Sequence, residues 1–356
     1  MTFCSPCKTT SQILVTLGNQ QNKENRLSDN NFQFSHSLGK GSFGEVYSAS
    51  VLPNIANVSY LSERQLKYLK PNEVFAIKKL EYNDDKDSYS NDMKEVSILC
   101  KMKSIPFIVN SYGAFLSKDK KICIIMEQCD TNLRDYMIEK KDFHSSSNIF
   151  HRMQLCQELF HALNYLHTNS IQHLDLKSQN LLIKNGHLKI ADFGLSDVYW
   201  ENNSDIPTEY YVVTRWYRSP ELLVGHRTKS IHAIDIWAAA IILMEIQCKF
   251  NKEQPFLLWM GKNSKDQFEQ IYSTLGSFTV EEQSLYETFS FIKCGETQIP
   301  SILYKKQLKE YLYHYVADLT SINDFYNLIE HCFNYIPSKR WNAWECLHAN
   351  YFISFS

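Results

Sequence analysis

The chain has 356 residues, 44% of them hydrophobic and 13% aromatic, with a formal net charge of -2. That length and composition supply a sizeable core and room for two domains or one enzyme with two lobes. The near-neutral balance, without a dense Lys/Arg run, argues against a nucleic-acid partner and against docking on an anionic membrane.

In chain order, residues 1–30 are rich in Ser, Thr, Asn, Gln and Lys and are expected to form a flexible leader. Cys4 and Cys7 make a C-x-x-C there, but no second pair follows at ligand spacing, so no metal is expected. From Phe32, "FQFSHSLGKGSFGEVYSASV" alternates apolar and polar residues around a glycine-rich turn, which predicts a hairpin. Residues 51–73 follow as an insertion, with a short helical pattern in "SYLSERQLKYLK"; a partner tether and a solvated loop both fit, and the loop is the simpler expectation. "VFAIKKL" (74–80) predicts a strand, "NDMKEVSILCKM" (91–102) a helix burying Met93, Val96, Ile98 and Leu99, and "KICIIMEQC" (121–129) a buried strand.

Beyond that point the apolar period lengthens to helical in 148–169 and 232–247, and again around 264–275, 305–319 and 321–335. The expected class is α+β, with a small β-rich lobe at about 31–129 and a larger helical lobe at about 130–356. A cleft between two such lobes is the default ligand site. The longest apolar stretch, Ala238 to Met244 continuing to Ile246, is too short to span a bilayer, and the first thirty residues lack a signal pattern. Ten cysteines without framework spacing fit free thiols in a reducing compartment, so a cytoplasmic or nuclear protein is expected.

Several residues carry chemistry. Gly39, Gly41 and Gly44 form G-x-G-x-x-G inside a hairpin rather than between strand and helix, a loop whose backbone could approach phosphates, with Val46 placed to cover a nucleobase. Lys78 sits on an apolar strand, where a buried ammonium needs an anion and a carboxylate; Glu95 on the next helix is the natural partner. Asp175 and Asn180 in "HLDLKSQN", and Asp192 opening "DFG", suit hard-oxygen binding of Mg²⁺ plus a base for a hydroxyl, and Lys177 could neutralise a transferring phosphoryl group.

In this order and spacing the set resembles the eukaryotic protein kinases, from about Phe32 to the C-terminus. The resemblance implies a bilobal kinase fold and transfer from ATP with Mg²⁺. Residues Gly39, Lys40, Gly41, Ser42, Phe43 and Gly44 would cover ATP, and Ala76 would line the nucleotide. Lys78, paired with Glu95, would hold its α and β phosphates. Asp175 would be the catalytic base, and Asn180 and Asp192 the metal ligands. Met126 would be the gatekeeper, with the backbones of Glu127 and Cys129 forming the adenine-binding hinge. "SPE" at 219–221 resembles the A-P-E element, whose Glu221 would pair with Arg340, and "DIW" at 235–237 matches a family helix, with Ala240 where glycine is usual.

"VVTRWYRSPELL" (212–223) and an insert at about 250–315, including "GKNSKDQFEQIYSTLGSFTVEEQ", resemble the CMGC group of cyclin-dependent, MAP and related kinases. In that group the arginine matching Arg218 favours proline after the phosphorylated residue, and Lys177 and Thr214 fit the Ser/Thr pattern. The positions of the three arginines that grip an activation-segment phosphothreonine read Leu174, Lys94 and Asp197, and the threonine's place holds Glu209. A phosphate there would meet no guanidinium cluster. "TEY" (Thr208 to Tyr210) falls one residue early for a MAP kinase switch, where Tyr211 occupies the tyrosine position.

Phe43 stands where an inhibitory tyrosine would be, and "SYSNDMKE" does not resemble a cyclin-contact helix, which leaves a cyclin-like partner open. The expectation is a cyclin-dependent-kinase-like Ser/Thr kinase, proline-directed and active without activation-segment phosphorylation, acting on a protein substrate that could itself be a kinase. A MAP kinase-like enzyme and a pseudokinase scaffold are the alternatives.

Overall fold

The computed structural model describes residues 26–41, 44–59, 61–80, 86–102, 104–198, 215–226, 230, 232–248, 257–289, 299–300, 303–316 and 322–353, with only the backbone for 86–91. The chain divides into two compact units, Met1–Asp130 and Thr131–Ser356.

The first unit is built on a five-stranded antiparallel sheet, β1 (Phe32–Gly41), β2 (Gly44–Val51), β3 (Val74–Lys79), β4 (Ser111–Leu116) and β5 (Ile122–Glu127), in the order β1-β2-β3-β5-β4. β-Branched and aromatic residues dominate β3 and β5, and period-2 alternation separates two faces. Phe75 and Ile77 point to one face, where they join Phe32, Ala49, Val51, Phe115, Cys123 and Ile125 in an apolar core. Ala76 and Lys78 alternate to the other face. There Val46 and Ile124 lie opposite Lys78, and Ser48 and Met126 opposite Ala76. The expected helix runs Lys86–Lys101 and packs against β4.

The insertion departs from the expected solvated loop. Pro53 opens a short 3₁₀ turn that puts Ile55 into the core, and Ser62 and Gln65 form a reciprocal capping box that starts the helix α1 (Glu63–Tyr68). Leu69 closes it, buried in the same core to which Ile55 belongs. The segment is thus an apolar cover for one sheet face, with Ile55 and Leu69 buried and Val58 and Leu61 packed against that core, and the short helical pattern read in the sequence forms as α1. The end of the expected leader is also fixed. Leu27 packs on the same core, and Asp29 accepts a hydrogen bond from the Lys118 N–H at 2.9 Å and pairs with Lys79 at 3.4 Å.

The second unit is mostly helical. Its centre is the helix Ala233–Gln247, buried along its whole length, which explains why its sequence is apolar all round. Ile149–Thr168 packs beside it, and small sheets flank the loop that carries Asp175: β6 (Thr131–Asn132) with β8 (Leu181–Lys184) and β9 (His187–Ile190), and β7 (Ile171–Gln172) with β10 (Asp197–Val198). Glu221 and Arg340 meet as a bidentate pair, Nη1–Oε1 2.7 Å and Nη2–Oε2 2.6 Å, both side chains fully buried. Arg340 also donates to the Ala233 and Asn334 carbonyls and stacks over Trp237 at 4.9 Å. Among the described residues no helix is long and apolar enough to cross a membrane.

Two stability outcomes follow. Leu69→Ala should cost about 2–5 kcal/mol in denaturant unfolding, because a buried core side chain is removed; a cost below about 0.5 kcal/mol would mean that the insertion is only a surface loop. Arg340→Met should cost about 3–5 kcal/mol by stranding the Glu221 carboxylate, while Glu221→Leu with Arg340→Met together should cost less than either alone.

Candidate active site

In the first unit, the glycine turn is set by one close approach. Gly44 has φ 132°, and a Cβ there would fall 2.2 Å from the Lys79 carbonyl oxygen, so only glycine closes this hairpin. Gly39 pairs with Val46, Lys40 with Glu45 and Gly41 with Gly44; Ser42 and Phe43 lie outside the described residues. Lys78 is buried, and its ammonium meets Glu95 Oε1 at 2.7 Å, the pairing that an ammonium on an apolar strand requires. Asp92, one turn before Glu95, was not anticipated as part of this site: burial pushes its carboxyl up to about 6 against the pull of Lys78. Met126 and Glu127 are buried at the end of β5, and Cys129 is half-buried just beyond it.

In the second unit, the loop after β7 is pinned by Asp235. Its carboxylate accepts from the N–H groups of His173 and Leu174, each at 2.9 Å, and meets His167 Nε2 at 2.9 Å. Desolvation works against this charge, but the His167 and His173 contacts hold its pKa below the usual carboxylate value. Leu174 sits at φ 66°, a left-handed conformation costly for a branched side chain, and those two hydrogen bonds fix it there. His173 Nε2 is 2.9 Å from the Ala191 carbonyl oxygen, and its ring lies 5.1 Å from that of Phe193.

The strain turns Asp175 inward. Its Oδ2 accepts from Lys177 Nζ at 2.8 Å and Asn180 Nδ2 at 2.9 Å, while Oδ1 is buried with no hydrogen-bond partner. A buried carboxylate oxygen left unpaired is an acceptor held ready for a donor that comes with a ligand. Asn180 Nδ2 also donates to the Asp175 carbonyl at 2.8 Å, and the Asn180 backbone carbonyl accepts the Ala191 N–H at 2.9 Å. That second bond ties Asn180 to the segment in which Asp192 follows at φ 62°. An amide oxygen and a carboxylate so tied suit a hard divalent cation that keeps ligands from water and phosphate.

Of the regulatory positions, Leu174 is buried, and Asp197 lies in β10, paired across to Gln172, with its Oδ1 accepting the Val198 N–H. Lys94 is half-buried on the helix that bears Glu95. Thr208, Glu209, Tyr210, Tyr211 and Thr214 lie outside the described residues.

The family model for the protein kinase domain matches residues 62–352. The match begins inside the insertion, although the glycine hairpin precedes it. Among curated proteins, the chain is 32% identical over 285 residues to cyclin-dependent kinase-like 4 of Homo sapiens, covering 80% of this chain and 69% of that one. It is 29% identical over 333 residues to cyclin-dependent kinase G1 of Arabidopsis thaliana, covering 91% and 49%. To the CTD kinase subunit alpha of Saccharomyces cerevisiae it is 27% identical over 321 residues, covering 88% and 53%. The chain therefore spans about half the length of two of these relatives. Among solved structures, a chain of the yeast RNA Pol II CTD kinase CTDK-1 complex shares the fold at TM-score 0.70 and 24% identity, with 95% of each chain covered.

Beside the Asp175 loop the structure adds a group that the sequence reading passed over. Ser178 Oγ lies 3.1 Å from the Tyr217 hydroxyl, which reaches both oxygens of Glu245 at 2.9 and 3.0 Å. Glu245 is fully buried on the apolar central helix, and desolvation pushes its carboxyl up to about 8. The signal for it was an acid near the end of a largely apolar helix that also carries Asp235. Because the folded chain holds a proton here that the unfolded chain releases above about 4.5, the stability from this group is full below that pH and lost as pH rises toward about 8. Thermal unfolding of the wild type should therefore fall across that window, by up to about 1.4 kcal/mol per pH unit, and Glu245→Gln should flatten the fall.

Proposed function

The chain belongs to the protein kinase family, in its cyclin-dependent-kinase-like CMGC branch, and from that premise we propose that it moves the γ-phosphate of ATP to serine or threonine followed by proline. The observation that carries the reading is Asp175: one carboxylate oxygen is engaged by Lys177 and Asn180, and the other is buried and unpaired. The substrate hydroxyl oxygen attacks the γ-phosphorus, the bond from phosphorus to the bridging oxygen of ADP breaks, and the hydroxyl proton passes to Asp175 Oδ1. Lys177, 2.8 Å from the same carboxylate, faces the charge that develops on the phosphoryl oxygens.

Lys78, held by Glu95, grips the α and β phosphates; Val46, Ala76 and Met126 share its sheet face and receive the base, with the hinge backbone of Glu127 and Cys129 reading its edge. Asn180 and Asp192 would hold Mg²⁺, which would supply positive charge against the phosphate oxygens.

Serine/threonine and proline preference are supported by Lys177, by the "VVTRWYR" segment and by Arg218, which is buried. Activity without activation-segment phosphorylation is supported by Leu174 and Asp197: a buried aliphatic side chain and a carboxylate stand where a phosphate would need guanidinium groups. The Lys78–Glu95 pair is closed within this chain, which supports activity without a cyclin-like partner. Ten cysteines without framework spacing support a cytoplasmic or nuclear protein.

The test is transfer of radiolabelled phosphate by the full chain purified from bacteria, with a cyclin added in one arm. Serine-proline, serine-alanine and RNA polymerase II C-terminal-domain peptides serve as acceptors, the last because one relative is a CTD kinase subunit. Serine-proline peptides should be preferred, and Asp175→Asn should lower kcat by about 10²- to 10⁴-fold. ATP binding without transfer would instead make the chain a scaffold, and activity that appears only after an upstream kinase would overturn the phosphate-independent clause.

A further inference from the structure

Resting on that reading, the structure assigns Arg64, in the insertion, as a positioning residue for the nucleotide hinge. The hinge begins at Glu127, which ends β5 opposite Phe75, so its side chain turns to the core face of the sheet while its backbone continues toward Cys129. The buried carboxylate is clasped by Asn110. Its Oε1 accepts from the Asn110 N–H at 2.8 Å and from Asn110 Nδ2 at 3.0 Å, and the Glu127 N–H donates to the Asn110 carbonyl at 2.9 Å.

Asn110 is held in turn by Arg64. Nη2 donates to Asn110 Oδ1 at 3.2 Å, which turns the amide nitrogen toward Glu127, and Nη1 donates to Ser104 Oγ at 3.2 Å. Ser104, at φ 63°, lies in the turn just after the helix that carries Glu95. One guanidinium fork thus spans both ends of the segment between that helix and β4. The fork is itself fixed by the faces of Tyr68 and Tyr112, 5.8 and 5.4 Å away. The neighbouring Gln65 anchors the same helix: its Nε2 occupies the space of a Cβ on Gly113, 2.4 Å from where one would be, at a residue with φ 136°. The insertion therefore reads as a buttress in which Gln65 packs against Gly113 of β4 and Arg64 reaches the hinge through Asn110, while the exposed Leu66 takes no part.

Removing the fork frees the Asn110 amide to rotate and loosens the backbone that reads adenine. Arg64→Ala should raise KM for ATP about 3- to 10-fold with kcat within about two-fold. Arg64→Lys keeps the charge and stem but cannot bridge two acceptors in one plane, so it should fall between. Asn110→Ala should raise KM as well and add nothing on top of Arg64→Ala, because both act through one carboxylate. Leu66→Ala should match the wild type. Direct ATP binding and thermal unfolding accompany the kinetics. A wild-type KM in the folded Arg64→Lys variant, or additive effects of Arg64→Ala and Asn110→Ala, would overturn the assignment while wild-type ATP binding left the functional reading intact. Wild-type chain that binds no ATP would overturn both.

Discussion

A charge taken out of water must be met by another polar group, and that constraint organises both units. It joins Lys78 to Glu95, Arg340 to Glu221, and the Asp235 carboxylate to the loop that displays Asp175. In each case the partner lies on a different element, so satisfying the charge also fixes where those elements sit. Arg152 follows the same rule with neutral partners. Fully buried, it donates to the Phe143 and Ser145 carbonyls and to Gln247, binding its helix to the central one.

At Asp175 the constraint is met on one oxygen only. Every neighbour that could satisfy it bonds a single oxygen, and the strained backbone at Leu174 leaves the second buried and unmet. A buried carboxylate oxygen so placed is costly in the resting fold and is relieved by any donor that reaches it.

Much of this could be read from the chain. Strand and helix positions followed from β-branched runs and apolar periodicity, because β3, β5 and the two long helices of the second unit are each buried in a pattern their sequence repeats. The acidic and amide residues of the site were visible because their order and spacing constrain one another. What escaped notice depends on distant contacts. Gln65 looks like an ordinary polar residue until Gly113 leaves it room, and Asn110 has no local signal that it serves Glu127. Leu27 and Leu69 sit among charged and amide residues, and only the exposed apolar face of the sheet explains their burial.

The sheet of the first unit is thus asymmetric in what its two faces do. One is sealed by the insertion and residues 26–31 into an apolar core. The other carries Val46, Ala76, Lys78 and Met126. Cohesion is assigned to the sealed side, so side chains on the other face can change without dismantling the slab beneath them. That freedom is borrowed from a segment that looks dispensable in the alphabet of residues and is structural in three dimensions.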